Sequence, residues 1–245
     1  MWLILGLTVP FYVLAPIVFW LSHRMPLIPT RRLEPGAVPE PVGQALEEWH
    51  TALAPRGLVP VAAHELEVGH IEVYRGAGNR AYVLHLVNRA AGLHGLDYIT
   101  PRHRWQVFIT ALSDSGEVLT SNFPLTDTFP PYPRMHTLRV SRERDLGRLY
   151  ALHLAHVDHV AGRGATGVLP EAGALLDFVP EREREVLERQ RALGTMTVSR
   201  DVYRPTFRSA FVMVWRMLPP LNWIRSVRAW RLRRTLQAAM AAADR

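Results

Sequence analysis

The chain has 245 residues, of which 48% are hydrophobic, a formal net charge of +7 and no cysteine. The absence of cysteine excludes disulfide bonds, thiolate catalysis and cysteine-ligated zinc or iron–sulfur centres. The excess of positive charge favours a partner that carries negative charge, such as anionic lipid or nucleic acid.

The first segment of the chain, from Met1 to Leu21, has no charged side chain. About 20 consecutive residues of this kind suffice for a helix to cross the hydrocarbon core of a bilayer. The pattern predicts a transmembrane anchor over residues 1–22, in which Pro10 and Pro16 are tolerated as kinks. A cleaved signal peptide is the alternative, but its basic leading region is missing here.

Arginines at positions 24, 31 and 32 follow the apolar segment, whereas no basic side chain precedes it. The positive-inside rule then places the N-terminus outside and the body of the protein in the cytoplasm. The prediction is a single-pass protein of the cell membrane. A body on the outer side of the membrane is the alternative, and it requires these arginines to mislead about topology.

Residues 23–41 contain five prolines and predict a stiff, extended linker. Val42, Leu46, Trp49 and Leu53 then recur at the spacing of one helix face. This pattern is typical of a short amphipathic helix whose apolar side faces a core.

Strand patterns follow in the middle of the chain. The stretches 70–74 and 81–87 alternate around the turn residues 76–79, which predicts a hairpin. A longer strand is expected over 104–112, with its return over 117–121. Together these segments predict an antiparallel meander of four or five strands.

Two further helices are expected, over 143–160 and over the strongly charged stretch 181–193. Because the strands are grouped between helices, the region 42–200 is predicted to be one α+β domain, with an antiparallel meander sheet packed against helices. Nothing in the sequence implies a cofactor, and no catalytic motif is recognised in it.

The expected helix over 143–160 carries His153, His156 and His159 at intervals of three. Helical spacing would allow His153 and His156 to share one zinc or iron ion. The simpler interpretation is a core, a boundary and a surface histidine, because a metal site needs three or four convergent ligands. His85 is interpreted as an ordinary residue of the sheet. His64 and His70 are six positions apart and do not form a zinc-protease motif, whose histidines are four apart.

Positive charge is concentrated at the C-terminus, because residues 200–245 contain ten arginines and two acids, a net of +8. Phe207, Phe211, Val214, Trp215 and Leu218 have the spacing of one helix face, and Pro219-Pro220 ends that segment. Residues 201–245 are predicted to be an amphipathic tail lying on a membrane surface. The expected lipid contacts are Arg208, Trp215, Arg216, Trp223, Arg225, Arg228, Trp230, Arg231, Arg233 and Arg234.

These features favour a membrane-anchored accessory or scaffold protein that binds a membrane assembly or an anionic lipid bilayer. A membrane protein is the other expected partner. Nucleic acid is a weaker candidate, since no recognised binding module frames the arginines. The alternative function is a membrane-tethered, metal-dependent hydrolase that uses the helix bearing His153 and His156.

Overall fold

The computed structural model describes residues 2–23, 25–26, 30–34, 38–67, 80–100, 104–113, 116–123, 134–169, 178–199 and 202–243. Within them the helices are α1 (Trp2–Ser22), α2 (Glu40–Leu53), α3 (Leu146–Ala161), α4 (Phe178–Ala192), α5 (Phe207–Met217) and α6 (Leu221–Ala243). The strands are β1 (Met25–Pro26), β2 (Thr30–Arg32), β3 (Val59–Glu67), β4 (Arg80–Asn88), β5 (Leu93–Ile99), β6 (Arg104–Ala111), β7 (Glu117–Ser121), β8 (Met135–Arg139), β9 (Met196–Ser199) and β10 (Val202–Pro205). The predicted α+β class is confirmed.

The chain forms two compact units. Unit 1 contains the described residues within Met1–Leu27 and Val179–Arg228. Unit 2 contains those within Ile28–Pro124, Pro133–Phe178 and Ala229–Arg245. Each unit is therefore assembled from segments that are distant in sequence.

Unit 2 is built on a seven-stranded sheet in which β2 to β8 follow one another in chain order. Neighbouring strands are antiparallel, except that β7 and β8 are parallel. The predicted strand and return over 104–121 are confirmed as β6 and β7. The predicted first strand of the hairpin, 70–74, and its turn, 76–79, lie outside the described residues. Its second strand corresponds to β4.

One face of the seven-stranded sheet is covered by helices, and we call it the helix face. Its apolar side chains include Leu84, Leu86 and Phe108, which share a core with Trp49 of α2 and Leu149 of α3. All five side chains are at most 1% exposed. The helices α2 and α3 form where the sequence predicted them, because an apolar face at helical spacing is strongly selected by burial.

Residues between those of the helix face point the other way, since successive side chains of a strand alternate. This second face, which we call the histidine face, carries Val83, His85 and Val87 on β4. All three are at most 2% exposed. Both faces of the sheet are therefore buried at β4.

Unit 1 contains a three-stranded antiparallel sheet with the order β1-β10-β9. Its small core consists of Leu187, Met196, Tyr203 and Met213, with Phe19 of α1 packed against them. The hydroxyl of Tyr203 donates a 2.7 Å hydrogen bond to Glu188 on α4. This bond fastens the sheet to α4.

The predicted transmembrane anchor is wrong. Residues 2–22 do form a helix, but across the part of the chain that the structure describes no helix is long and apolar enough to cross a membrane. Part of the apolar surface of α1 is used within unit 1, where Phe19 packs into the core and Trp215 donates a 2.9 Å hydrogen bond to the carbonyl of Tyr12. The single-pass topology, with the N-terminus outside and the domain in the cytoplasm, depended on that anchor and is withdrawn.

Candidate functional site

Helix α5 begins at a side-chain cap and buries a narrow face. Thr206 precedes it, and its hydroxyl accepts a hydrogen bond from the amide of Ser209, which satisfies one of the free donors of the first turn. The buried residues of the helix are Ser209, Ala210, Met213 and Val214. Of the five residues predicted to form its apolar face, only Val214 is buried. The large aromatic side chains therefore lie outside the buried face.

Those aromatic side chains form a continuous series that we call the aromatic row: Trp20 of α1 with Phe207, Phe211 and Trp215 of α5. Successive ring centroids are 5.3, 5.0 and 5.7 Å apart. Trp20 is 39% exposed, Phe207 52% and Trp215 42%. An exposed apolar series of this size is unusual on a protein surface and is typical of an interaction site.

The beginning of α6 continues the exposed apolar character of unit 1. Trp223 is 66% exposed, and Ile224 and Val227 are each 47% exposed. Arg225 donates a 3.3 Å hydrogen bond to the carbonyl of Arg216, which ties the start of α6 to the end of α5. Tryptophan and arginine thus occur together on exposed turns of these helices.

Arginines border these aromatic residues. Arg208 follows Phe207 directly, and Arg228 follows Val227; both arginine side chains are exposed. Arg216 and Arg225 are partly buried, in keeping with the hydrogen bond between them. The exposed part of this surface therefore combines uncharged apolar groups with positive charge.

In unit 2, the second half of α6 divides its arginines between different partners. The guanidinium of Arg234 lies 4.5 Å from the ring centroid of Trp230, as in a cation–π contact. Arg233 contacts the carboxylate of Glu143 at 3.2 Å and is only 29% exposed. Arg231 is exposed. The predicted lipid contacts on this helix are therefore not equivalent.

The two histidines predicted as a candidate metal site lie on α3, against the helix face of the sheet. The ring of His153 contacts the hydroxyl of Thr110 through Nε2 at 2.9 Å and that of Thr120 through Nδ1 at 3.1 Å. His156 contacts the same Thr120 hydroxyl through Nδ1 at 3.2 Å. Both nitrogens of His153 are thus engaged with the sheet, and His159 is exposed as the simpler interpretation predicted.

Burial makes both α3 histidines hard to protonate. It lowers the pKa of His153 to about 3, and the nearby His156 contributes to the shift. It lowers the pKa of His156 to about 4, with smaller effects of His136 and His159. Both rings are therefore neutral at neutral pH. Among the described residues, no group of three or more histidine, cysteine, aspartate or glutamate side chains is placed to hold a metal ion.

A second group of histidines, which their spacing in the sequence does not predict, lies on the histidine face. Nδ1 of His64 is 3.1 Å from Nε2 of His85, and Nδ1 of His85 is 3.3 Å from Nε2 of His94. The three side chains are 5%, 0% and 2% exposed. Burial, with smaller effects of the neighbouring rings of His94 and His64, lowers the pKa of His85 to about 2. The signal that could reveal the group is strand register, which a single sequence does not display.

A third polar group surrounds Asp97, whose side chain is fully buried. Its carboxylate accepts hydrogen bonds from Trp49 at 2.5 Å, Arg104 at 2.6 Å and Gln106 at 3.2 Å. Arg104 also pairs with the exposed Glu48. Asp97 is on β5 and its partners come from α2 and β6, so this network joins the helix layer to the sheet and has a structural role.

The chain matches no model of a known protein family, and it has no significant match among curated proteins or among solved structures.

Proposed function

We propose that the protein is an accessory protein that attaches to anionic phospholipid surfaces through unit 1. The observation that carries the proposal is the aromatic row, which is exposed beside arginine side chains. The attachment is peripheral and needs no spanning helix. It retains the predicted lipid partner and not the predicted anchor.

The chemistry of the exposed groups supports a lipid surface as the occupant. Tryptophan side chains favour the headgroup region of a bilayer because they combine an apolar ring with a polar N–H. Arginine presents a planar fork of donors that matches phosphate oxygens. Phe207 and Arg208, adjacent in sequence and both exposed, offer the two kinds of contact at one point of α5. An anionic bilayer satisfies both at once, since it has an apolar interior and negatively charged phosphates.

Charge also supports this occupant. Residues 200–245 have a net charge of +8, whereas the remaining 199 residues have a net charge of −1. Near an anionic leaflet each arginine contributes on the order of 1 kcal/mol of attraction. A few exposed arginines therefore suffice to hold the protein on the surface at moderate ionic strength.

Vesicle co-sedimentation of the full-length protein tests the proposal. The probe is a vesicle containing phosphatidylglycerol and phosphatidylcholine, compared with phosphatidylcholine vesicles. The double variant R208Q/R228Q is expected to weaken binding by about 30-fold, because two lost contributions of about 1 kcal/mol each amount to about 2 kcal/mol. The control R163Q/R184Q removes the same charge from exposed arginines outside α5 and α6.

The apolar contribution is tested separately. Replacing Trp223 by Ser should weaken binding to the anionic vesicles. The control L193S changes an apolar side chain that is 53% exposed and precedes β9 in the sequence, and it should not weaken binding. Binding of the wild type should also disappear at 1 M salt, where the Debye length falls to about 3 Å. Equal binding to neutral vesicles, or equal losses for R208Q/R228Q and its control, would refute the proposal.

The alternative function, a metal-dependent hydrolase using His153 and His156, stays a prediction. Its cheapest test is elemental analysis of the purified protein. Stoichiometric zinc or iron that is lost in H153A and H156A would establish that the two histidines bind metal, and would favour this function over a pure attachment role.

A further inference from the structure

Helix α1 has an apolar surface that unit 1 leaves uncovered. Six large apolar side chains along its second part are between 39% and 63% exposed. Because successive residues of a helix are rotated by about 100°, all six lie within one half of its circumference. We call this surface the exposed half of α1, and its members are Phe11, Val13, Leu14, Val18, Trp20 and Leu21. The other half contains the buried Pro16 and Phe19, which packs into the core of unit 1.

Polar groups of α1 find their partners inside unit 1. Proline has no N–H, so Pro16 leaves the carbonyl of Tyr12, four residues earlier, without its helical donor. The indole N–H of Trp215 on α5 donates a 2.9 Å hydrogen bond to that carbonyl. The hydroxyl of Tyr12 donates to the carbonyl of Pro219, and the hydroxyl of Ser22 donates to a carbonyl of its own helix. The gap that proline makes in the helix is therefore closed by a side chain of α5.

The hydrogen bond between Trp215 and Tyr12 has its main value outside water. It lies at the surface of unit 1, where water could equally well donate to the carbonyl. In a hydrocarbon environment no water is present, and an unpaired carbonyl is then very unfavourable. A helix whose backbone is completed in this way is suited to contact with hydrocarbon.

Charge favours a bilayer over a second copy of the chain as the occupant of this surface. The exposed half of α1 meets the aromatic row at Trp20, whose ring centroid is 5.3 Å from that of Phe207, and the exposed Arg208 follows Phe207. A two-fold contact between copies uses the same patch twice, so it brings like charges together. An anionic bilayer offers phosphates to the arginine and acyl chains, which need no hydrogen bonds, to the apolar half of the helix.

We propose that α1 lies along the bilayer surface and buries its exposed half among the acyl chains. Trp215 supplies the hydrogen bond that keeps the α1 backbone satisfied there. The helix does not cross the bilayer, since an interfacial helix buries only its apolar side, to a depth of about 5 to 10 Å. This inference rests on the proposed attachment to anionic phospholipid, and it adds the acyl chains to the headgroups as the ligand of unit 1.

The hydrogen bond is tested by a substitution and its rescue. W215F keeps an aromatic ring but removes the donor, and it should weaken binding of the full-length protein to phosphatidylglycerol–phosphatidylcholine vesicles by about tenfold. Its urea midpoint without vesicles should equal that of the wild type, because water replaces the lost donor. In P16A/W215F the amide of residue 16 can donate to the Tyr12 carbonyl, so binding should return to near the wild-type value.

The matched control is W223F, which changes another exposed tryptophan of unit 1. P16A/W223F should bind no better than W223F, because the new amide serves only the Tyr12 carbonyl. If P16A/W215F binds as weakly as W215F, the indole ring and not the completed backbone accounts for the loss, and the proposal fails. If the variants with P16A do not fold, the depth of α1 decides.

Depth is measured with a spin label. Because the chain has no cysteine, V18C provides a single attachment site on the exposed half of α1. When the vesicles bind, its label should become less accessible to a water-soluble nickel reagent and more accessible to oxygen. The label of L193C, at an exposed apolar position after α4, should remain accessible to nickel.

The outcomes separate this inference from the proposed function. Vesicle binding with an unchanged nickel accessibility at position 18 would overturn the burial of α1 and leave the attachment through headgroups intact. Wild-type protein that does not bind the vesicles would refute both. Dipolar coupling between the position 18 labels of two copies, in the absence of vesicles, would show that a second copy covers this surface and would also overturn the inference.

Discussion

Acidification from pH 7.5 to pH 5 should strongly destabilise unit 2, because the folded unit buries histidines that resist protonation. The pKa values of His85, His153 and His156 are lowered by burial to about 2, 3 and 4, from an ordinary value of 6.5. Below about pH 6.5 the unfolded chain therefore binds protons that the folded chain does not. Stability that is present above that pH is lost as the pH falls.

The size of the effect follows from the shifts. A pH of 5 is 1.5 units below the pKa of 6.5 that a histidine has in the unfolded chain. The free energy of unfolding therefore falls by about 2 kcal/mol for each ring that stays neutral in the folded state. Three such rings give about 6 kcal/mol, which is comparable to the whole stability of a typical domain, about 5 to 15 kcal/mol. Most carboxylates titrate nearer pH 4. Burial raises the pKa of Asp97, which acts in the opposite direction, so the difference between a histidine variant and the wild type isolates the histidines.

Urea unfolding followed by circular dichroism at pH 7.5, 6.5, 5.5 and 5 measures the loss. H153Q removes one of the three rings and should reduce the loss to about 4 kcal/mol, whatever its effect at pH 7.5. H159Q, at an exposed position, should retain the full pH dependence. A free energy of unfolding that stays constant over this range, or an identical slope in H153Q and the wild type, would refute the assignment of neutral buried rings.

Two further substitutions test the internal contacts, each with a matched control and with the urea midpoint as the readout. R104Q removes the charged partner of the fully buried Asp97 and should cost about 3 to 5 kcal/mol, whereas E48Q, which removes the exposed partner of the same arginine, should cost less than about 1 kcal/mol. G92A places a Cβ 1.8 Å from a backbone carbonyl oxygen and should cost more than about 3 kcal/mol. G162A also has a positive φ but meets nothing within 4 Å, so it should cost only about 1 to 2 kcal/mol. Equal costs within either pair would contradict the structural reasoning.

Local periodicity predicted those elements whose burial is one-sided. The helices α2 and α3 each have one apolar face against the core, so their patterns were visible. Strands β6 and β7 are buried on both faces and were predicted from the turn residues between them. Strand β5 was not predicted, because both of its faces are buried and its sequence LHGLDYI does not alternate. Strand β8 pairs in parallel with β7, a contact across a long connection that no local pattern encodes.

The apolar segment at the N-terminus shows a different kind of error, because its composition led to the prediction of a transmembrane helix. A count of uncharged residues does not distinguish lipid from a protein partner as the environment of a helix. Phe19 packs among Leu187, Met196, Tyr203 and Met213, which lie more than 160 positions further along the chain. Such a partner can be recognised only when the fold brings the segments together.

The histidines illustrate why a site is harder to predict than a fold. Spacing along α3 identified His153 and His156 as candidate metal ligands, and the structure places both against threonine hydroxyls. The group formed by His64, His85 and His94 has no regular spacing in the sequence. Its members lie on three strands and are brought together by the register in which those strands pair. Residue type and spacing identify candidates on one element, whereas a site assembled from three strands needs the register of each.

The same distinction applies to the arginines near the C-terminus. A sum of charges counts each of them equally, but their surroundings differ. Arg233 is held by Glu143, and Arg225 is hydrogen-bonded to the carbonyl of Arg216, whereas Arg208 and Arg228 are exposed. Attraction to an anionic surface depends on the arginines that can approach phosphates without breaking such contacts. The proposed attachment therefore rests on a few exposed arginines beside aromatic side chains, rather than on the net charge of the segment.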